Sequence, residues 1–306
     1  VNIRVPRQRE AEAIAELLTA AAEESGFGAA EPAEVESWFT SPTFDVAGNF
    51  RVAERDGVLL AYCDLTPATG EDTYVAMDLR ARPGEAQAAG ALADWAGERA
   101  AELAAGRTVI RTGLFERDVS KRRLLEERGY TVVRHSFEML IDFDTEPDPP
   151  SWPPGTELDH LEIGRNERAA FAAFEESFRD AWGFVPRPFE EWQHIRLRAH
   201  DFEPDLNFLA YDGSEIAGFA FCVAAGSRHP DYGWIDTLGV RRPWRKRGVG
   251  EALLRHAFCE FHRRDRRGAG LDVDAESLTG ATRLYERVGM RVVSRGDTYE
   301  LEVRPG

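Results

Sequence analysis

The sequence predicts a mixed α/β protein made of two similar domains in tandem, each a mixed, mostly antiparallel sheet flanked by helices. Three observations lead there. Segments with the two-residue alternation of strands interleave with segments whose apolar residues recur at helical spacing. Thr145 to Gly155 (Thr-Glu-Pro-Asp-Pro-Pro-Ser-Trp-Pro-Pro-Gly) can continue neither a helix nor a central strand, because proline lacks the amide donor and fixes φ. The order of elements before this break also recurs after it. Asn49-Phe50 and Asp56-Gly57 return as Asn207-Phe208 and Asp212-Gly213, 158 and 156 residues on, and the run Leu124 to Tyr130 returns as Leu284 to Met290, 160 residues on. The expected division is a first domain over 1–145, a proline-rich linker over 146–155 and a second domain over 156–306.

In the first half, residues 10–24 are strong helix formers with Ile14, Leu17, Leu18 and Ala21 on one face. Phe50 to Glu54 and Leu59 to Leu65 read as strands joined by the hairpin turn Arg55-Asp56-Gly57, and Thr73 to Leu79 reads as a third. The alanine-rich, amphipathic stretch 85–105 is a helix. Thr108 to Leu114 is a strand, Lys121 to Arg128 a helix stopped by Gly129, and Tyr130 to Phe143 one or two closing strands. The second half repeats this series. Helix 165–178 precedes an irregular segment, then come strands Phe208 to Tyr211, Ile216 to Ala224 and Trp234 to Val240, and a helix through Phe261. Strand Gly270 to Asp274, helix Thr279 to Val288 and closing strands to Val303 complete it.

Composition narrows the function. With 43% hydrophobic and 30% charged residues, the 306-residue chain is ordinary for a soluble protein. No apolar run is long enough to span a membrane, and Val-Asn-Ile-Arg-Val-Pro-Arg lacks the apolar core of a signal peptide, which places the protein in the cytoplasm. Cys63, Cys222 and Cys259 are too few and scattered for a disulfide framework or a metal knuckle and read as reduced thiols. The pairs His194/His200 and His256/His262 have no familiar ligand spacing, so no metal is implied. A formal charge of −16 repels nucleic acid at long range. The run Arg263-Arg264-Asp265-Arg266-Arg267 reads as a solvated helix end where cations complement the dipole.

Against that acidic background one stretch stands out, Leu238-Gly-Val240-Arg-Arg-Pro-Trp-Arg245-Lys246-Arg247-Gly248-Val249-Gly250, followed by a helix with Leu253, Leu254, Ala257, Phe258 and Phe261 on one face. Glycines let the backbone approach a ligand, and the free N–H groups of a first helical turn form an anion site. The unit of strand, Arg-x-x-Gly-x-Gly and amphipathic helix resembles the acyl-CoA-binding motif of the GNAT family of N-acetyltransferases. The resemblance implies that N–H groups from Arg245 through Lys246, Arg247, Gly248 and Val249 to Gly250 hold the CoA pyrophosphate, while Leu238 and Val240 bond the pantetheine as a neighbouring strand would. The first half has Arg82-Pro83-Gly84-Glu85 at the corresponding place, without the paired glycines, so its fold is expected without its cofactor site.

Further along, Ala281-x-x-Leu284-Tyr285-x-x-x-Gly289-Met290 resembles the second motif of the family, in which the tyrosine protonates the CoA thiolate; that makes Tyr285 the expected general acid. Where many members carry Asn after the fifth strand, this chain has Glu276-Ser277-Leu278-Thr279-Gly280, with Ser277 the nearest equivalent. Ser277 or Thr279 is expected to cap the following helix, or to bond the cofactor. Asp236, two residues before Leu238 and expected on its face, is the candidate base. Asp180, Trp182 and Trp234, with Trp192, are candidates for lining the acceptor pocket, since an acid among aromatics suits a cationic amine. The arrangement resembles the tandem GNAT proteins. It implies an N-acetyltransferase that uses acetyl-CoA as cosubstrate and a small-molecule primary amine as acceptor, with neither nucleic acid nor membrane as partner. Acetylation of a protein or peptide, and a non-catalytic acyl-CoA sensor, stay open as alternatives at this point.

Overall fold

A computed structural model describes residues 1–41, 44–68, 74–104, 106–197, 202–277 and 280–304, and the chain in it divides into two compact units. The first comprises Val1–Ser136 with Arg295–Gly306, the second Phe137–Ser294.

In the first unit, strands β1 (Asn2–Arg4), β2 (Phe50–Arg55), β3 (Val58–Ala68), β4 (Tyr74–Ala81) and β5 (Thr108–Phe115) lie in that order. The end of the last strand of the chain, β12 (Arg291–Val303), pairs antiparallel with β5 from Gly296 to Val303. β2, β3 and β4 are antiparallel neighbours, whereas β4 and β5 run parallel. The β2–β3 hairpin turns at Asp56 and Gly57, both with positive φ, as its sequence predicts. α1 (Ala11–Ser25) and α2 (Pro32–Thr40) cover one face, where Ile14, Leu17 and Leu18 meet Phe50, Val52 and Tyr62. α4 (Ala86–Leu103) and α5 (Val119–Glu127) cover the other, setting Leu92, Ala96 and Leu125 against Ala61, Cys63 and Ile110; the short α3 is Val46–Asn49.

The second unit repeats the pattern with β7 (Thr156–His160), β8 (Asn207–Asp212), β9 (Glu215–Val223), β10 (Tyr232–Val240) and β11 (Gly268–Asp274), and beyond β11 the end of β6 (Thr131–Asp142). β7 to β10 are antiparallel and β10–β11 parallel. α6 (Glu167–Phe178) and α7 (Phe189–Leu197) pack on Phe219 and Phe221, while α8 (Val249–Arg263) and α9 (Ala281–Arg287) pack on the opposite face with Phe208, Ala220 and Leu271.

The closing strands depart from expectation. Tyr130 to Phe143 forms one strand, and its second half belongs with the second unit; the end of β12 belongs with the first. Each sheet is thus completed by the other half of the chain. The expected linker has no helix or strand from Phe143 to Gly155, but it is held: Trp152 packs by His256 of α8, and Arg255 bonds Asp148 at 3.1 Å. β1, α2, β7 and α7 are short elements that the sequence pattern did not mark.

Candidate active site of the second unit

β10 is where the sheet of the second unit opens. On one side it pairs with β9 along its length; on the other, its parallel pairing with β11 runs only from Tyr232 to Trp234, against Gly268 to Gly270. From Ile235 to Val240, β10 has no register partner on the β11 side among the described residues. A strand edge without a partner presents unpaired N–H and C=O groups, which an extended ligand can use.

The β9–β10 ladder also slips by one residue between Ile235 and Thr237, so Asp236 is the extra residue of a β-bulge. This corrects the expectation that Asp236 and Leu238 share a face. The inserted residue shifts the alternation, so that Ile235 and Leu238 both pack on the core beneath α8, while Thr237 meets Arg196 and the Asp236 carboxylate stays exposed.

After β10 the chain makes a single helical turn at Arg242–Trp244 and enters α8 through Gly248, whose φ of 93° lies in the left-handed region that favours glycine. Among the described residues no side chain caps α8, so the unpaired N–H groups of its first turn are left to a ligand. At Gly250 a Cβ would come within 3.3 Å of Leu284 and 3.4 Å of Val240, which seats the start of α8 closely against β10 and α9. Most of the basic side chains of this turn are paired within the protein. Arg241 pairs with Glu176 and Glu215, Arg242 pairs with Asp180, and Arg245 donates to the carbonyls of Val240 and Ser177 at 3.0 and 3.1 Å. These guanidiniums tie the turn to its surroundings. Lys246 and Arg247 are exposed and make no ion pair among the described residues.

Tyr285, on α9, is buried in the core beneath α8, and burial pushes its phenol up to about 12. Its hydroxyl makes no hydrogen bond among the described residues. Capping of α9 by Ser277 is corrected: Gly280, at φ 71°, holds the N-cap position, and among the described residues no side chain caps the helix. Ser277 lies in the preceding loop, where its N–H bonds the Asp274 carbonyl at 3.1 Å, and Thr279 lies outside the described residues.

On the α6/α7 face, Arg196 at the end of α7 bonds Asp236 and donates to Thr237 Oγ1 at 3.2 Å, with its guanidinium 5.2 Å from the Phe221 ring. Beside this pair is a cavity of about 200 Å³, lined by Arg196 and Asp236 and by Phe202, Asn207, Cys222 and Val223. None of the residues expected to line the acceptor pocket, Asp180, Trp182, Trp192 and Trp234, lines it; the candidate base Asp236 does. Asp180 pairs with Arg242, Trp182 is exposed, and Trp192 is buried against Phe171 and Phe221. Trp234 lies under Arg228 and stacks with His229, its ring close to Gly226 and Gly270. The sequence reading missed Arg196. Its one signal was the spacing Phe189, Trp192, Arg196, which fits a helix turned toward the sheet.

The first unit provides an internal comparison. Asp78 precedes Asp236 by 158 residues, the offset of the Asn49/Asn207 pair, yet the β3–β4 ladder runs through it without a bulge. The Asp78 carboxylate accepts from Arg80 at 3.0 Å and from Tyr62 at 3.2 Å. Burial works against its charge, but Arg80 carries it below the ordinary carboxylate value. Leu125 stands where α9 has Tyr285.

Comparison with known proteins follows the same geometry. The acetyltransferase (GNAT) family model matches residues 142–290. A mycothiol acetyltransferase of Thermobispora bispora is 30% identical over 176 residues, 55% of this chain; the match spans only 57% of that relative's length. The crystal structure of a GCN5-related N-acetyltransferase from Sphaerobacter thermophilus is 31% identical, covering 100% of this chain and 96% of that one with a TM-score of 0.75. A tandem GNAT protein from the clavulanic acid biosynthesis pathway shares the fold across 100% of both chains, at 16% identity and a TM-score of 0.72.

Proposed function

Because the chain belongs to the GCN5-related N-acetyltransferase (GNAT) family, we propose that its second unit transfers an acetyl group from acetyl-CoA to a primary amine of a small molecule by direct attack. One observation carries this reading: a bulged strand with an open edge leads, through one short turn, into a glycine-capped helix whose first-turn N–H groups meet no side chain among the described residues, and among those residues this combination occurs in the second unit and not in the first.

Backbone groups from Arg245 to Gly250 would hold the pyrophosphate, with Lys246 and Arg247, which pair with no acid among the described residues, beside it, and Leu238 and Val240 would align the pantetheine. Bound acetyl-CoA supplies an activated thioester, whose C–S bond breaks as the new C–N bond forms. The chain's own groups manage the protons. Asp236 receives the proton of the acceptor ammonium, directly or through water, after its contact with Arg196 parts; Tyr285 offers its phenolic proton to the departing sulfur, and the second amine proton, released as the amide forms, restores the Tyr285 phenol through water. A cavity of about 200 Å³ favours a small molecule over a protein segment as acceptor.

Isothermal titration tests the reading. Acetyl-CoA should bind the intact chain, and Gly248→Val should weaken binding by roughly tenfold or more, since any side chain at φ 93° strains the turn and moves its N–H groups. Absence of acetyl-CoA binding in folded protein would overturn the proposal, as would full affinity in the variant.

A further inference from the structure

We infer that the acceptor amine also carries a carboxylate, with its ammonium received by Asp236 and its carboxylate by Arg196. The inference rests on the acetyltransferase reading above and deepens it to a substrate class, amino acids and compounds of that kind. Three observations support it.

The cavity beside Asp236 is lined by one acid and one base, Asp236 and Arg196, among apolar or weakly polar groups that include Phe202, Val223 and Cys222. Its two charges are therefore of opposite sign and adjacent, which is the complement of a zwitterion. Arg196 is also only partly committed. Among the described residues its bonds to Asp236 and Thr237 both run through Nη2, leaving Nε and Nη1 without a partner, and a planar guanidinium suits a carboxylate that can take two parallel bonds. Finally, the volume of about 200 Å³ lies below the range of roughly 300–1,000 Å³ for pockets that hold drug-sized ligands, and fits a ligand of a few carbons.

Electrostatics selects between the two kinds of amine. An amine without a carboxylate must part Asp236 from Arg196 and leave the guanidinium, whose side chain is only 19% exposed, without an anion. An amine that carries a carboxylate replaces the partner it removes. The same Arg196–Asp236 pair thus admits one class and discriminates against the other.

The test uses the full chain and paired acceptors that differ by the carboxylate: leucine with isopentylamine, lysine with cadaverine, β-alanine with ethylamine and γ-aminobutyrate with propylamine. Binding is read by ligand-observed NMR in the presence of CoA, and turnover by CoA release from acetyl-CoA. At least one carboxylated member should bind and react with kcat/KM roughly tenfold or more above its counterpart. Arg196→Gln should collapse that ratio toward one through KM, and Arg196→Lys should retain part of it, with both variants checked for an unchanged melting temperature. Should Arg196→Gln unfold, the Arg196→Lys variant and the wild-type preference still decide. Equal binding of both members, loss of both alike in Arg196→Gln, or no binding by any carboxylated amine overturns the inference. Arg196-dependent binding without any CoA release sustains it and sinks the acetyltransferase reading instead.

Discussion

At the scale of single residues, burial fixes the state in which Tyr285 can act. Its phenol is enclosed by the core beneath α8, and loss of water around the phenolate pushes it up to about 12. The neutral form is therefore the one present at neutral pH, as a proton donor must be. Because the folded value exceeds the unfolded one of about 10, the stability linked to this group is complete below about pH 10 and is lost as pH rises through about 12. Tyr285→Phe should lower kcat by roughly 10² or more while leaving acetyl-CoA affinity within about twofold, as expected for removal of a general acid. The loss should be equal at pH 7 and pH 9. Steady-state kinetics with isothermal titration checks both, and an unchanged kcat removes Tyr285 from the chemistry. The place of Tyr285 in the core was legible in the sequence through the helical spacing around it. Arg196 was not, because an arginine on an amphipathic helix resembles any solvated one until folding brings it to Asp236, 40 residues away.

At the scale of elements, β3–β4 and β9–β10 are the same hairpin in two chemical states. In the first unit the ladder is continuous, which sets Tyr62 opposite Arg80 and Asp64 opposite Asp78. Two carboxylates facing each other across antiparallel strands repel. Burial, then the charge of Asp78, pushes Asp64 up to about 7, against the bonds from Tyr62 and the charge of Arg80. In the second unit Cys222 occupies the place of Asp64, and the bulge turns Asp236 outward. The strands themselves were legible from their alternation. The bulge was not, because a polar residue inserted among alternating ones keeps the pattern locally plausible; only the three-residue spacing of Ile235 and Leu238 on one core hinted at it. A raised carboxyl contributes stability below its unfolded value of about 3.9 and loses it as pH climbs through about 7. The first unit should therefore lose about 1 kcal/mol between pH 6 and pH 8 through Asp64. Asp64→Asn should flatten that dependence and raise the melting temperature at pH 8. A variant with the same pH slope as the wild type would show that Asp64 ionises normally.

At the scale of the molecule, the repeat was legible but the exchange of closing strands was not, for a reason visible in the residues. Gly129-Tyr-Thr-Val132-Val133 before one closing strand and Gly289-Met-Arg-Val292-Val293 before the other are near copies, 160 residues apart, so local pattern cannot say which sheet either strand completes. In the structure β5 pairs with β12 from Thr108–Val303 to Phe115–Gly296, Tyr299 and Val303 are buried in the core of the first unit, and Arg111 pairs with Glu300. A polypeptide of residues 1–145, the first domain that the proline-rich break suggests, lacks all of these. It loses a full ladder of backbone hydrogen bonds and the burial of two large side chains, about 1.5–3 kcal/mol each, against a typical total stability of about 5–15 kcal/mol. It also exposes β5 as an apolar edge. We therefore expect residues 1–145 alone to give no cooperative thermal transition and to aggregate, whereas residues 1–136 joined through a short Gly-Ser linker to 295–306 should melt cooperatively. Circular dichroism and amide proton dispersion distinguish the two. Cooperative unfolding of the 1–145 polypeptide, at a temperature matching that of the joined form, would mean that the strand from the C-terminus is dispensable to the first unit.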